Sequence, residues 1–296
     1  MLLSHTLLAV FVALVWGINF LFVGIALESF PPLFLCAVRF LLASVPALFF
    51  IRPPSAPWHK VVVYGLVMFA LQFSLIFIGM SVGMPSGMAS LLMQVQVFFS
   101  LFFAAAFLHE RPGPWQIIGA IVAFCGIALV ALHLDAHVTP LGFICILAGA
   151  ATWGLGNLLG KGLARVNMIA LVIWGSAAAC VPMFGLSLLL EGPQRISETY
   201  ALLDWSGISA LLYIVYVSTW VGYGAWNFLL ARYPVGMVVP FTLLVPLVGM
   251  MSSVLILGEP MYRWKWIAAF LVLGGLGIHL LGPRLFPLRG RSAALG

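Results

Sequence analysis

Charge is what this chain has least of. Only 7% of its 296 residues are Asp, Glu, Lys or Arg, against about one quarter in soluble globular domains. Long polar stretches are also missing, for the apolar runs are joined by connections such as "MPSG" at Met84, "HERPGP" at His109 and "YPVG" at Tyr233. That leaves no room for a separate aqueous domain. The four cysteines, Cys36, Cys125, Cys145 and Cys180, all fall inside apolar segments, so they read as small hydrophobes and not as a disulfide framework or metal cage. Catalytic patterns are absent as well. His109 in "HERP" lacks the second histidine of a zinc-binding helix, no Gly-x-Ser-x-Gly elbow occurs, and no pair of intramembrane aspartates exists. The chain is expected to be no enzyme and to need no cofactor.

What fills the space instead is hydrocarbon: 64% of the residues are hydrophobic. A helix needs about 20 apolar residues to cross a hydrocarbon core of roughly 30 Å, and ten stretches meet that test. They lie near 6–27, 32–51, 61–81, 85–108, 114–132, 139–161, 167–190, 206–231, 234–257 and 263–282. This predicts an all-α integral membrane protein with the lipid bilayer as its solvent. The first run resembles a signal-peptide core but has no Lys or Arg ahead of it and continues to Leu27, which makes it helix 1. The longest connection, "EGPQRISETYALLDWSG" from Glu191, is expected to carry a short amphipathic surface helix.

The formal charge of +6 suggests nucleic acid until the charges are sorted by side of the membrane. With ten spans both termini share a side. That side carries Arg52, Lys60, Arg111, Lys161, Arg165, Arg232, Arg284, Arg289 and Arg291, and the other carries Arg195, Arg263 and Lys265. An excess of nine over three places both termini in the cytoplasm and removes the need for a nucleic-acid partner. The acids agree, because Glu28, Asp135, Glu191, Glu198, Asp204 and Glu259 fall outside and Glu110 alone inside.

The chain also repeats. An offset of 149 aligns "MPSGMASL" at Met84 with "YPVGMVVP" at Tyr233, Leu108-x-Glu110 with Leu257-x-Glu259, Trp115 with Trp264 and Gly126 with Gly275. An offset of 137 aligns Trp16-Gly17 with Trp153-Gly154. Two five-helix halves are expected, residues 1–138 and 139–296, forming one membrane domain. Because five is odd, the second half enters the membrane upside down. Inverted halves of this kind are how secondary transporters build an inward and an outward state around a site near the midplane.

The stretches "WGINF", "PPLFLCAVRF", "MPSGMASLLMQVQVFFS", "HERPGPWQIIGAIVAFCGI", "VGYGAWNFLLARY" and "LILGEPMYRWKW" run over nearly the whole chain and resemble the EamA family of the drug/metabolite transporter superfamily. Within it the sequence is most similar to amino-acid exporters of the EamA and YddG type. The resemblance implies ten helices around a central cavity surrounded by helices 3, 4, 8 and 9 with helices 1 and 6. One feature departs from the repeat: Arg39 has Gly175 at its equivalent place.

Polar groups at span depth supply the candidate cavity. Trp16 and Asn19 are spaced i, i+3 and Trp153 and Asn157 i, i+4, so each pair shares a helix face. Gly17, Gly24, Gly154, Gly156 and Gly160 beside them allow close helix approach, Gly156-x-x-x-Gly160 being a small-xxx-small pattern. The amides also fit simple interhelical bonding. Gln72, Gln94, Gln96, Tyr223 and Asn227 join the set, with Trp226 the strongest of the other tryptophans; Tyr64, Trp174 and Trp220 read as packing or interface aromatics and His279 as a satisfied or snorkelling side chain. Glu110 and Glu259 read as architectural caps at helix ends. Arg39, eight residues past Pro31 and so roughly 12 Å into the core, is the one cation inside a span. It is a candidate for a substrate carboxylate, or else a partner for loop carbonyls.

No carboxylate lies at the midplane and no cluster of cations is present to grip a diphosphate. A neutral pocket of amides and aromatics suits a small zwitterion, with the aromatic faces available to its ammonium. The expected function is export of small amino acids or related metabolites across the inner membrane by a monomer, through facilitated diffusion. The alternative is proton-coupled export of drugs or other metabolites. The orientation is testable at once. An impermeant thiol reagent applied to intact cells should label a single cysteine placed at Ser197 and spare one placed at Ser292, and the reverse result would overturn the charge count.

Overall fold

The computed structural model describes residues 1–134, 138–161, 163, 166–233 and 235–285. Among them every regular element is helical. In chain order these are α1 (Leu3–Ser29), α2 (Pro32–Leu48), α3 (Trp58–Ser81), α4 (Ser86–Leu108), α5 (Pro114–Ala131), α6 (Pro140–Lys161), α7 (Met168–Leu190), α8 (Gly192–Leu202), α9 (205–232), α10 (Val239–Leu257) and α11 (Arg263–Leu285). Nine of them, among the described residues, are long and apolar enough to cross a membrane. The segment expected at 32–51 is shorter: α2 has 17 residues, or about 25 Å at 1.5 Å per residue. It ends at the turn of Phe49 and Phe50, three residues beyond the helix-weakening Pro46. The amphipathic helix expected after Glu191 is α8.

Glycine sets how closely these helices approach. A Cβ on Gly17 of α1 would fall 2.5 Å from Val248 Cβ and 2.7 Å from the Val245 carbonyl oxygen of α10. Its repeat equivalent, Gly154 of α6, meets α4 in the same way, with the Ser100 nitrogen 2.8 Å from the missing Cβ. The two contacts thus pair α1 with α10 and α6 with α4. Helices α5 and α11 cross where Gly119 and Gly275 face each other. Without a hydrophobic force between helices in lipid, such backbone proximity is a main source of cohesion.

The ends of the bundle are tied across the sequence. Glu191 accepts hydrogen bonds from the Leu33 and Phe34 amides at 2.7 and 2.9 Å, and Glu259 accepts from those of Ser86 and Gly87 at 2.8 and 3.2 Å. A carboxylate at a helix start satisfies orphan N–H groups and meets the positive end of the helix dipole. Glu259 is thus the cap expected of it, and Glu191 is a cap that sequence reading treated as a loop charge. Burial raises the Glu259 carboxyl above its ordinary pKa, against the lowering effect of the Gly87 and Ser86 amides and of Lys265. Asp204 caps α9 through the Gly207 amide at 2.8 Å, and that bond lowers its pKa. The same end holds Thr139, whose hydroxyl donates to the Val82 carbonyl at 2.7 Å. At the opposite end Tyr233 Oη bonds His5 Nδ1 at 2.7 Å and Trp174 Nε1 donates to the Ile51 carbonyl at 3.2 Å. Chain start, Ile51 and Tyr233 therefore share one face.

Lys265, counted among the cations of the other side, is 2% exposed and donates through Nζ to the Pro260 carbonyl at 2.8 Å. Among the charges used for orientation, Asp135, Arg165, Arg289 and Arg291 lie outside the described residues, as do the side chains of Lys161 and Asn227.

Replacing Glu191 or Glu259 by alanine leaves two helix-start amides without their acceptor, a loss of about 1–2 kcal/mol for a cap. Thermal unfolding of the purified protein should show both variants melting below the parent, while Glu198→Ala on the exposed face of α8 melts with it. Equal melting of all three would remove the capping role.

Candidate functional site

The long spans are not uniformly α-helical. Leu66–Leu71 of α3 and Tyr213–Gly222 of α9 wind as π-helix, and Met93–Val95 of α4 and Val239–Leu243 at the start of α10 as 3₁₀-helix. The repeat offset of 149 carries 66–71 onto 215–220 and 93–95 onto 242–244, so the irregular turns occupy corresponding places in the two halves. Such turns free backbone groups from the helical ladder. At membrane depth that is tolerated only where protein or a cavity covers them. Gln94, in one 3₁₀ turn, donates through Nε2 to the Thr242 carbonyl in the other at 2.7 Å.

Three of these turns contribute Met93, Gln94, Ser218 and Thr242 to the wall of a cavity of about 230 Å³ between α1, α2, α3, α4, α6, α9 and α10. Drug-sized sites run from about 300 to 1,000 Å³, which makes this one the size of a small metabolite. The structure brings Trp16, Asn19, Arg39, Gln72, Gln94, Gln96, Trp153, Tyr223 and Trp226 to its wall. Trp16 anchors one side: its ring centroid lies 5.4 Å from that of Tyr223 and 5.2 Å from that of Trp226, and its Nε1 donates to the Ser218 carbonyl at 3.1 Å. The repeated Trp-Gly pair is thereby explained. One residue faces the cavity while the next packs its bare backbone on the neighbouring helix.

Asn157 is not brought to this wall. It is exposed and donates through Nδ2 to Ser100 Oγ at 3.0 Å, the interhelical bond of the structural reading. Four residues advance about 6 Å along a helix, and that step carries Asn157 past the level of Trp153. The Asn227 side chain lies outside the described part. Sequence reading did not select Ser90, Met93, Ser218, Phe73 or Phe77, which also line the cavity. Thr242 does so as well; it was noticeable as a rare span-depth hydroxyl.

Elsewhere several membrane-depth polar groups are consumed locally. Trp220 Nε1 donates to the Ala43 carbonyl at 3.0 Å, Ser176 Oγ to Val172 at 2.7 Å and Thr219 Oγ1 to Ile214 at 3.0 Å. His279 packs edge-on against Phe98 at 5.5 Å, away from the cavity. A second cavity of about 320 Å³ touches the first at Tyr223, but Ala47, Ile51, Ile173 and Trp220 make it almost wholly hydrocarbon. The polar chemistry belongs to the first. Among the described residues the buried side-chain atoms without a hydrogen-bond partner are Asn19 Oδ1, Arg39 Nε and Nη1, Gln72 Nε2 and Oε1, Gln96 Oε1, Thr199 Oγ1, Ser253 Oγ and His279 Nδ1. All but the last three belong to residues of this cavity.

The model of the EamA-like transporter family matches residues 3–132 and again residues 140–281. The chain belongs to the EamA-like transporter family. Its relatives include proteins of Escherichia coli K12 and Salmonella typhimurium, each named "Probable amino-acid metabolite efflux pump" and each 37% identical; the first alignment covers 94% of this chain and 95% of that protein. An E. coli "Uncharacterized inner membrane transporter YedA" is 26% identical over 93% of the chain and 90% of its own length. A solved crystal structure of 19% identity aligns with a TM-score of 0.67 over 97% of this chain and 99% of that one, a likeness of fold. The EamA-like transporter is thus an all-helical multi-pass membrane protein, and its cavity lies where its two matched stretches meet: Trp16 to Gln96 come from the first and Trp153 to Val245 from the second.

Trp153→Ala should lower transport by at least about tenfold, since an aromatic plate of roughly 150–250 Å² is lost from the wall, with folded protein retained in the membrane. Asn157→Ala, which removes a single exposed hydrogen bond, should cost no more than about 1 kcal/mol of stability and leave flux near the parent. Equal flux loss in both variants would return Asn157 to the transport path.

Proposed function

We propose that this transporter exports small neutral amino acids or close metabolites from the cytoplasm across the inner membrane, by alternating access and without obligatory proton coupling. The observation that carries the reading is the cavity wall. It combines four side-chain amides, three tryptophans, a tyrosine and one arginine, and it contains no acid. A zwitterion needs both donors and acceptors but little net charge from its host. Proton-coupled carriers and sites for drug cations instead rely on an intramembrane carboxylate. The names of the efflux-pump relatives point to the same cargo, and that of the inner-membrane relative to the same location.

The twofold family match, the paired Gly17 and Gly154 contacts and the paired π and 3₁₀ turns support two inverted halves, 1–138 and 139–296, of five spans each. In this reading α2 is the tenth span, both termini are cytoplasmic, and one half rocks against the other about the glycine contacts. Biosynthesis raises the internal amino-acid concentration, so downhill flow alone yields net export.

Vesicles holding only the purified protein decide the matter. Labelled threonine, methionine or phenylalanine should enter saturably and stop at the equilibrium level, with or without an imposed pH gradient. Gradient-driven accumulation above that level would overturn uniport in favour of proton-coupled export. Absence of flux for every amino acid tested would overturn the cargo.

A further inference from the structure

Arg39 is a buried cation with little to balance it. It is 3% exposed, and its guanidinium carbon stands 4.2 Å from the centroid of the Phe73 ring. A single long hydrogen bond, from Nη2 to Thr219 Oγ1 at 3.4 Å, is its polar contact. Nε and Nη1 have no partner among the described residues. Breaking or omitting the partner of a buried charge is strongly unfavourable, and at membrane depth no bulk water relieves it. Gln72 has the same defect in neutral form: it is fully buried, it lines the same cavity, and both its amide atoms are unpaired.

The chemistry missing from this pair is an anion with two oxygens. A guanidinium presents a planar fork of donors that matches a carboxylate bidentately, and the Gln72 Nε2 adds a further donor. One cation balances one carboxylate; a phosphate dianion would remain under-compensated. The cavity also holds unpaired acceptors, Asn19 Oδ1 and Gln96 Oε1, which suit an ammonium group but offer an anion nothing. Taking the cargo of the preceding section as the starting point, the geometry points to a bipolar site. Arg39 and Gln72 receive the α-carboxylate, Asn19 and Gln96 receive the ammonium, and a molecule lacking its carboxylate is rejected.

Rejection stems from the asymmetry of hydrogen bonding. A ligand that fills the cavity without a carboxylate displaces whatever solvates Arg39 and leaves the charge bare. Discrimination therefore rests on a penalty against the wrong cargo as much as on attraction for the right one.

The test compares L-methionine with L-methioninamide, in which the carboxylate alone is replaced by a neutral carboxamide. Binding to the full-length purified protein is measured calorimetrically at about pH 6, below the α-amino range, so that both ammonium groups are charged. The parent should prefer the acid by at least about tenfold, or about 1.4 kcal/mol. Arg39→Met, which keeps the length of the side chain but not its charge, should bring the ratio close to one. Gln72→Leu should reduce it less, and it serves in place of Arg39→Met if that variant fails to fold. Equal binding of acid and amide by the parent, binding of neither, or unchanged preference in the folded variants would each overturn the carboxylate pole. Preference for the acid without vesicle flux would leave the pole standing and sink the exporter; flux without preference would do the opposite.

Discussion

A polar group inside hydrocarbon has no water to turn to, and this constraint shapes the whole molecule. Most such groups are settled within a helix turn. Ser44, Ser74, Ser100, Thr152 and Ser176 return their hydroxyls to a carbonyl four residues earlier. Tryptophan N–H groups reach across to carbonyls of other segments, as Trp174 does to Ile51 just past α2 and Trp220 to Ala43 within α2. Helix starts that would otherwise be bare are closed by Glu191 and Glu259 from distant loops. Against this thrift the unpaired Asn19, Arg39, Gln72 and Gln96 stand out, and all four meet in one cavity. Buried unsatisfied groups are few in native proteins. Their concentration at one place marks it as the place where something else completes the hydrogen bonding.

The helices themselves loosen at the same level. The π turns of α3 and α9 precede Gln72 and Tyr223 directly, and the 3₁₀ turns of α4 and α10 contain Gln94 and Thr242. A π turn inserts a residue and rotates the rest of the helix by about 100°, one residue's share of a helical turn. The side chains past it are re-aimed while the span keeps its course. The Gln94–Thr242 bond joins the two 3₁₀ turns directly. Part of the polar wall of the cavity, Gln94, Ser218 and Thr242, thus sits in the irregular turns, between stretches of regular helix locked by glycine contacts.

Much of this was legible in the residues because lipid penalises polarity so heavily. Apolar runs of about 20 residues marked the spans, and the rare amides and tryptophans within them marked seven of the nineteen residues of the cavity wall. The Trp-Gly pairs announced a residue facing inward beside one facing a helix. Three features were not legible. Hydropathy is blind to whether a turn closes at the fourth or fifth residue, so the π and 3₁₀ turns left no trace. A shared helix face does not mean a shared depth, which is why Asn157 meets Ser100 while Trp153 meets the cavity. The cap at Leu33 comes from Glu191, 158 residues away, and no local pattern records a partner that distant. Lys265 carries the related lesson that a charge at a span boundary can be buried when a carbonyl, here that of Pro260, lies within reach.

Repetition explains the framework, and its failure explains the site. Two similar halves naturally give paired glycines, paired turns and paired tryptophans, but the cargo proposed for them has no twofold axis. A cavity made of equivalent positions alone would offer its two ends identical chemistry. Arg39 breaks that equivalence: at the corresponding place Gly175 packs its backbone against Gly65 of α3, and a Cβ on Gly175 would stand 3.0 Å from the Phe69 ring. Among the described residues that line the cavity none comes from α7, whereas α2 contributes Arg39, so the positive charge stands on one side of the wall alone.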